Sequence, residues 1–355
     1  MRKKLLCCIS LLLSVLLLCS CGTDAGGEPL KVGLLGTSVK PVGVLLADKL
    51  GYFEEEGVEV EFQKVSGMND AYAALARGAL DVYLFSSTAA AAFISQGTES
   101  IRVMGGTASE GSEIMGPKGC PAIKSPDDLC GKTIACQMPE TGQMVLKNYL
   151  IQNGYSIGAP GEGKDVSFIY VNDSSAAIMG CVKGEYDLCI TNACLGYYAK
   201  DYGAELAGSV KQFVNNYPCC RQSCCLNTYE KHFDTLKSFE VALLRGYRFY
   251  LENPEETLDM MVEYSGEDRE FLRAQLYGTD NYSPVMRLFP DPDRRACAEF
   301  YEAMENIGEI KPEKDIDWNE YIVTDVYSSA LKELISRDSR EPLWRELEAY
   351  FAEHN

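Results

Sequence analysis

The sequence predicts an α/β protein built from two successive units, each a mainly parallel sheet covered by helices, followed by a helical segment. Three features carry that prediction. Strand and helix patterns alternate from Pro29 to Met104, the alternation restarts at Lys132 and runs to Tyr202, and beyond Pro218 the pattern turns helical. A length of 355 residues also suits two domains of ~150 residues each.

The elements follow in order. Pro29–Gly36 (PLKVGLLG) has the short apolar run of a buried strand, and Val39–Gly51 sets Val44, Leu45, Ala47 and Leu50 near one helical face. Val58–Val65 (VEVEFQKV) alternates with period two, as a half-buried strand does. Asn69–Gly78 is helical, with Gly78 at the stop position. Asp81–Phe85 (DVYLF) is a short strand, Thr88–Gln96 an Ala-rich helix capped by Ser86, Ser87 or Thr88, and Ile101–Met104 another strand. In the second unit, between Gly111 and Pro218, Lys132–Gln137, Val166–Val171 and Tyr186–Ile190 are strands. Thr141–Asn153, Ser174–Lys183 and Ala193–Tyr202 are its helices. Beyond it, Leu236, Phe239, Leu243, Tyr247 and Tyr250 recur at three and four along one long amphipathic helix. Further helices are expected at Glu255–Tyr264, Asp268–Tyr277, Asp293–Ile307 and Val323–Ser336.

Composition removes several function classes. At 46% hydrophobic and 24% charged the chain is ordinary globular material, neither disordered nor coiled coil. The formal charge is −19, and −22 if Arg2, Lys3 and Lys4 leave with a leader that ends before Cys21. Such a surface repels phosphate backbones, which argues against nucleic-acid binding. His232 and His354 are too few for a histidine-rich metal site or a histidine-centred triad. Met1–Lys4 is basic and Leu5–Leu18 largely apolar, roughly 21 Å of helix against a hydrocarbon core of ~30 Å. That is a signal-peptide core rather than a span. Leu18-Cys19-Ser20-Cys21 resembles the lipobox of bacterial lipoproteins, which implies a signal peptide over 1–20 and a lipidated Cys21 as first mature residue. Residues 21–28 then read as a flexible tether.

Several segments together resemble one family. They are Leu50-Gly51-Tyr52-Phe53-Glu54-Glu55-Glu56-Gly57, Ala74-Leu75-Ala76-Arg77-Gly78-Ala79-Leu80-Asp81-Val82, and Lys124-Ser125-Pro126-Asp127-Asp128-Leu129-Cys130-Gly131-Lys132. Phe300-Tyr301 through Ile307-Gly308 and Asp325–Leu331 continue the match, so that it covers most of residues 30–335. The chain is similar to extracytoplasmic solute-binding proteins of ABC importers in the nitrate/sulfonate/taurine and thiamine-pyrimidine group. The resemblance implies a periplasmic-binding-protein-like fold of two lobes joined by two crossover segments, with the ligand between them and the C-terminal helices on lobe one. Here lobe one would comprise 29–107 and 226–355, and lobe two 108–218, with crossings near Thr107–Gly111 and Pro218–Leu226, Cys219–Cys225 being the second crossover. It also implies a membrane permease as partner, no catalytic role and no cofactor. The lipobox adds the bilayer as a second partner and an extracytoplasmic, membrane-anchored location; a monomer is expected.

Ligands of open α/β sheets sit beyond the carboxyl ends of strands, where helix N-termini offer free N–H groups. Thr37-Ser38, Ser86-Ser87-Thr88, Thr141-Gly142 and Asn192 occupy such places, with Thr107 at the first crossing, and all are candidate ligand contacts. Plain helix capping explains each of the hydroxyl residues equally well. The cysteines leave more open. Eleven remain beyond Cys21, of which the seven-residue run Cys219-Cys220-Arg221-Gln222-Ser223-Cys224-Cys225 holds four. Metal binding, disulfides, a redox or enzymatic centre, and small side chains lining the cleft all compete with buried thiols that merely pack. An extended strand would spread Cys219 and Cys225 roughly 20 Å apart, which disfavours a closed metal site. Cys219, Cys220, Arg221 and Gln222 are expected to border the cleft, with Arg221 meeting solvent, an acid or an anionic ligand. Tyr52, Tyr83 and Phe85 suit either core or cleft, and Trp318 and Trp344 fall in the helical part. A sulfonate, nitrate, taurine or pyrimidine-like solute fits these features. An extracytoplasmic enzyme or redox or metal protein built on the cysteine cluster is the alternative.

Overall fold

Short apolar runs flanked by turn residues gain most by lying side by side with both faces covered, and the chain arranges them in two sheets. The computed structural model describes residues 28–355; the signal segment, Cys21 and the rest of the tether to residue 27 lie outside the described residues. The strands are β1 (Leu30–Leu35), β2 (Val60–Val65), β3 (Val82–Tyr83), β4 (Ile101–Glu110), β5 (Glu113–Pro117), β6 (Thr133–Gln137), β7 (Ile157–Gly158), β8 (Val166–Val171), β9 (Leu188–Thr191), β10 (Ala204–Ser209), β11 (Pro218–Cys225) and β12 (Met286–Leu288). The first sheet runs β12-β4-β11-β3-β1-β2 and the second β10-β5-β9-β6-β8-β7. Each keeps a parallel part, β3-β1-β2 and β9-β6-β8-β7. The strands next to the crossings, β11 beside β3 and β4, and β5 beside β9 and β10, run antiparallel. The sheets are therefore less uniformly parallel than the strand–helix rhythm suggests, because a chain returning from the other lobe enters the sheet from the opposite end.

Two expectations about local structure are corrected. Thr107–Glu110 and Cys219–Cys225, expected at the crossings, are instead strand residues of the first sheet, paired with one another along β4 and β11. The chain passes between lobes at Gly111–Ser112 and at Val214–Tyr217, where Glu110 N–H donates to Tyr217 O at 2.9 Å and Ser112 N–H to Tyr217 Oη at 3.2 Å. The helix expected over Ala193–Tyr202 is only a 3-10 turn, Leu195–Tyr198. Ala193 and Cys194 take φ of 59° and 65°, left-handed values that no helix propagates through. Gly196 N–H donates to the Glu113 carboxylate at 2.7 Å rather than to a helical carbonyl.

Elsewhere helices form where caps and apolar spacing agree. Ser86 caps Ser87–Ser95 by accepting from Ala89 N–H at 3.2 Å, and Asp173 caps Ser174–Lys183 through Ala176 N–H at 2.8 Å. The long helix Phe233–Glu252 buries Leu236, Phe239, Leu243, Tyr247 and Tyr250, one face as the spacing requires. It packs so closely on Val42–Lys49 that a Cβ on Gly246 would collide with the Gly43 carbonyl. A second face of that helix brings Glu240 beneath β11, where Gln222 Nε2 lies 3.4 Å from Glu240 Oε1 and 3.1 Å from Gly106 O. Glu240 is fully buried, and burial, against the Gln222 hydrogen bond, pushes its carboxyl up to about 8.

The sign of the resulting pH dependence follows from linkage. Between the unfolded value near 4.3 and the folded value of about 8, the folded state holds a proton that the unfolded state has lost, so this group's contribution declines as pH rises through that window. Glu240→Gln removes the titration. Denaturant melts at pH 5 and pH 8.5 should show the variant gaining on the wild type by on the order of 2 kcal/mol at the higher pH. Parallel pH profiles for the two proteins would show that Glu240 is ionised in the fold.

Candidate functional site

Helix N-termini at the carboxyl ends of parallel strands meet between the lobes. Ser87–Ser95 follows β3 in the first lobe, and Thr141–Gln152 follows β6 in the second. Thr88, Ala89 and Ala92 of the first helix and Met138, Pro139 and Met144 at the start of the second line one cavity of about 520 Å³. Met68, Asn69 and Asp70 close it on one side, and Met304, Glu309 and Ile310 on another. Four methionine side chains give it a soft, adaptable wall.

The lobes are held together on both sides of the crossings. On one rim Glu309, after helix Arg294–Asn306 of the first lobe, accepts from Tyr170 Oη at 3.1 Å and lies 3.8 Å from Lys147 Nζ. Lys147 also bonds the Tyr170 hydroxyl and sits over the Phe168 and Tyr170 rings at 5.0 and 4.6 Å. Burial lowers its pKa, against Cys136 and Glu309, which favour the charged form. On the other rim Tyr282 Oη donates to the fully buried Glu113 at 2.7 Å, and Gln275 Nε2 donates to Ala193 O at 3.2 Å. Phe271 stacks on Tyr198 with ring centres 4.9 Å apart. Between the rims, Glu140 caps Thr141–Gln152 through Gln143 N–H at 2.7 Å and bonds the Ser112 hydroxyl at the crossing. Burial raises Glu140 and Glu113 alike, while their hydrogen bonds pull the other way. These contacts join the two lobes on both rims of the cavity.

The residues singled out from sequence divide into groups. Thr88 reaches the cavity; Ser86 is spent on its cap and on Thr88 Oγ1 at 3.1 Å; Ser87 is fully buried with its hydroxyl unpartnered. Thr141 and Gly142 lie buried at the start of the second helix, Gly142 so close to Ser112 that no Cβ would fit. Thr107 borders a small separate cavity of about 20 Å³ beside Lys40. Thr37 is exposed in the loop after β1, Ser38 and Asn192 are half-buried, and none of the three lines the 520 Å³ cavity. Tyr83 and Phe85 pack in the core, and Tyr52 lies under the Arg245 guanidinium at 4.1 Å. Cys219 is half-buried and Cys220 buried, beside Lys40.

Arg221 and Gln222 are corrections. Gln222 turns into the first lobe toward Glu240. Arg221 is 1% exposed; its Nε donates to Pro292 O, one Nη to Ala108 O and Cys220 O, all at 3.0 Å, and the other Nη to Ser109 Oγ at 3.2 Å. Its hydrogen bonds go mainly to backbone carbonyls, and burial, which disfavours the cation, is outweighed by Cys297 and the buried Asp293 nearby, a surrounding that sequence spacing does not reveal.

Comparison with known proteins agrees with this architecture. The model of the family described as NMT1/THI5 like matches residues 39–257, well over half of the chain. The chain belongs to the NMT1/THI5-like family. This NMT1/THI5-like chain shares its fold with the periplasmic aliphatic sulphonate-binding protein SsuA of Escherichia coli at 15% identity, TM-score 0.67, over 85% of this chain and 99% of that one. The periplasmic nitrate-binding protein NrtA of Synechocystis PCC 6803 gives 13% identity and TM-score 0.68 over 86% and 89%. The desulfurization enzyme DSZB gives 13% and 0.57 over 86% and 99%. No curated protein matches.

Sequence reasoning passed over Lys40, Glu113, Glu140 and the methionines. Lys40 and Glu140 each adjoin a strand-end segment already singled out, in Thr37-Ser38-Val39-Lys40 and Glu140-Thr141-Gly142, so extending those windows would have found both. The methionines come from three separate segments, around Met68, Met138–Met144 and Met304, and carry no local signal.

Arg221→Met leaves the carbonyls of Pro292, Ala108 and Cys220 without their donor. Unfolding titrations should show a loss of about 3 kcal/mol, with solute affinity of the folded fraction unchanged. A normal stability with weakened solute binding would return Arg221 to the cleft.

Proposed function

We propose that this NMT1/THI5-like protein is the lipid-anchored substrate-binding component of an ABC importer, without catalytic activity. The observation that carries the reading is the cavity walled by both lobes, which a solute fills only while the lobes are closed on it. The closed form, with Glu309 seated on Lys147 and Tyr170 and Tyr282 on Glu113, is the surface a membrane permease would recognise. The sulphonate- and nitrate-binding proteins of the same fold support this reading. The solute is a small organic or anionic molecule: the methionine wall suits an organic body, and the N-terminus of Ser87–Ser95 suits an acidic group. Lipidation of Cys21 would hold the monomer outside the cytoplasmic membrane, on a bilayer that no helix of the described residues is long and apolar enough to cross.

Native mass spectrometry of the purified protein should reveal a copurifying solute. Readding it at a hundredfold excess over Kd should stabilise the fold by about 2.7 kcal/mol. Ala89→Trp, which fills the cavity, should abolish that gain. Turnover of a thiol or pyrimidine substrate, with no stabilising solute found, would favour the enzymatic alternative, for which DSZB shows the fold to be competent. Cells fed labelled palmitate should label the wild type and not Cys21→Ala; equal labelling of both would refute the anchor.

A further inference from the structure

Consecutive residues on a regular strand point to opposite faces. β11 breaks that rule at its start, where its register against β4 shifts between Pro218 and Cys220 and again between Cys220 and Arg221. Such bulges re-aim side chains. Here they bring the sulfurs of Cys219 and Cys220 to 3.7 Å of each other. Lys40, from the loop after β1, places its Nζ 3.6 Å from Cys219 Sγ.

The ammonium of Lys40 is the informative partner. It is half-buried in a strongly acidic chain, yet among the described residues no carboxylate lies within ion-pairing distance of it. A cation withdrawn from water needs an anion, and the sulfur pair is what the structure supplies. The Cys219 hydrogen bond, Lys40, the Ser86 backbone N–H and Arg221 outweigh burial and lower Cys220, while the same shared proton raises Cys219. The other thiols differ. Burial pushes Cys136 up to about 12 and Cys194 up to about 11, and exposed Cys130 is raised by its partial burial and by Asp127 and Asp165.

We propose that Cys219 and Cys220 form a vicinal dithiol that undergoes thiol–disulfide exchange with low-molecular-weight disulfides, with Lys40 as its counter-ion. The thiolate of the pair attacks one sulfur of R–S–S–R; a protein–SR bond forms and RS⁻ leaves. The second thiol of the pair then attacks the modified protein sulfur, closing the cyclic disulfide and expelling the second RS⁻. Both leaving groups are protonated by the two protons that the dithiol gives up, so two protein thiols are oxidised and one R–S–S–R is reduced to two RSH. Cys219 is half-buried and Cys220 buried, so the disulfide arrives from the Cys219 side. This chemistry belongs to the residues themselves and does not depend on what the cleft carries.

The test treats the full-length protein with 2-hydroxyethyl disulfide, blocks remaining thiols under denaturing acid and maps tryptic peptides by mass. Peptide Gln212–Arg221 contains Cys219 and Cys220 and no other cysteine, and Ser125–Lys132 contains only Cys130. The former should become two hydrogens lighter before the latter gains an adduct. Lys40→Met should slow its oxidation about tenfold and Lys40→Arg should preserve the rate. Cys220→Ser should retain a mercaptoethanol adduct on Cys219. Reaction of exposed Cys130 ahead of the pair, or equal rates in wild type and Lys40→Met, would overturn the proposal.

Discussion

Two chain segments pass between the lobes side by side, and the hydrogen bonds joining them constrain everything else. Glu110 N–H to Tyr217 O, Ser112 N–H to Tyr217 Oη and Asn216 N–H to Glu110 Oε1 at 2.8 Å tie the outward and return crossings into one narrow strip. Glu110, Gly111 and Asn216 sit at positive φ of 63°, 95° and 57° there, so the turn out of the first sheet is made over very few residues. The strip puts β4 and β11 next to each other in the first sheet and β5 into the second. It thereby sets the helix N-termini of Ser87–Ser95 and Thr141–Gln152 against the same cavity. Lobe motion, where it occurs, must be a rotation about this strip, with the Glu309–Tyr170 and Tyr282–Glu113 contacts as the parts that separate.

Polar groups inside the first lobe follow from where β11 is placed. A strand that lies between β4 and β3 carries its side chains into the core on both faces. Arg221 is retained there because carbonyls of three segments converge on it, which ties β11 to β4 and to Pro292. Gln222 and Glu240 form a neutral pair on the opposite face, at the cost of a carboxyl kept protonated near neutral pH. Cys224, buried and with its thiol pushed up by that burial, serves as a small hydrophobe. The four cysteines of one seven-residue run therefore do different work: Cys219 and Cys220 face a cation at a bulge, and Cys224 and Cys225 fill the sheet interior.

Much of the fold is legible because hydrophobic period and caps agree over whole elements. Val166–Val171 and Ser174–Lys183 coincide with their expected bounds, and the apolar face of Phe233–Glu252 is the one its spacing marks. The short edge strands β7 and β12 are not legible, since two or three residues show no period. Nor is the left-handed pair Ala193–Cys194, which cuts short a sequence that reads as helix. At the site, hydroxyl residues at strand ends mark the right region but not the contacts: Thr88 reaches the cavity while Thr37 remains in solvent. Arg221 shows the limit most clearly. A charge in an apolar run signals that a partner exists, but only the tertiary fold shows that most of its hydrogen bonds go to backbone carbonyls.

The proposed function requires a solute enclosed between the lobes by residues from both. The most direct measurement is a crystal structure of the protein with the solute that copurifies with it. The expected result is density bounded by Thr88 and Ala89 on one side and Met138 and Met144 on the other, with Glu309 still on Tyr170. A solute bound on the outer face of either lobe, with the cavity between them filled only by water, would contradict it.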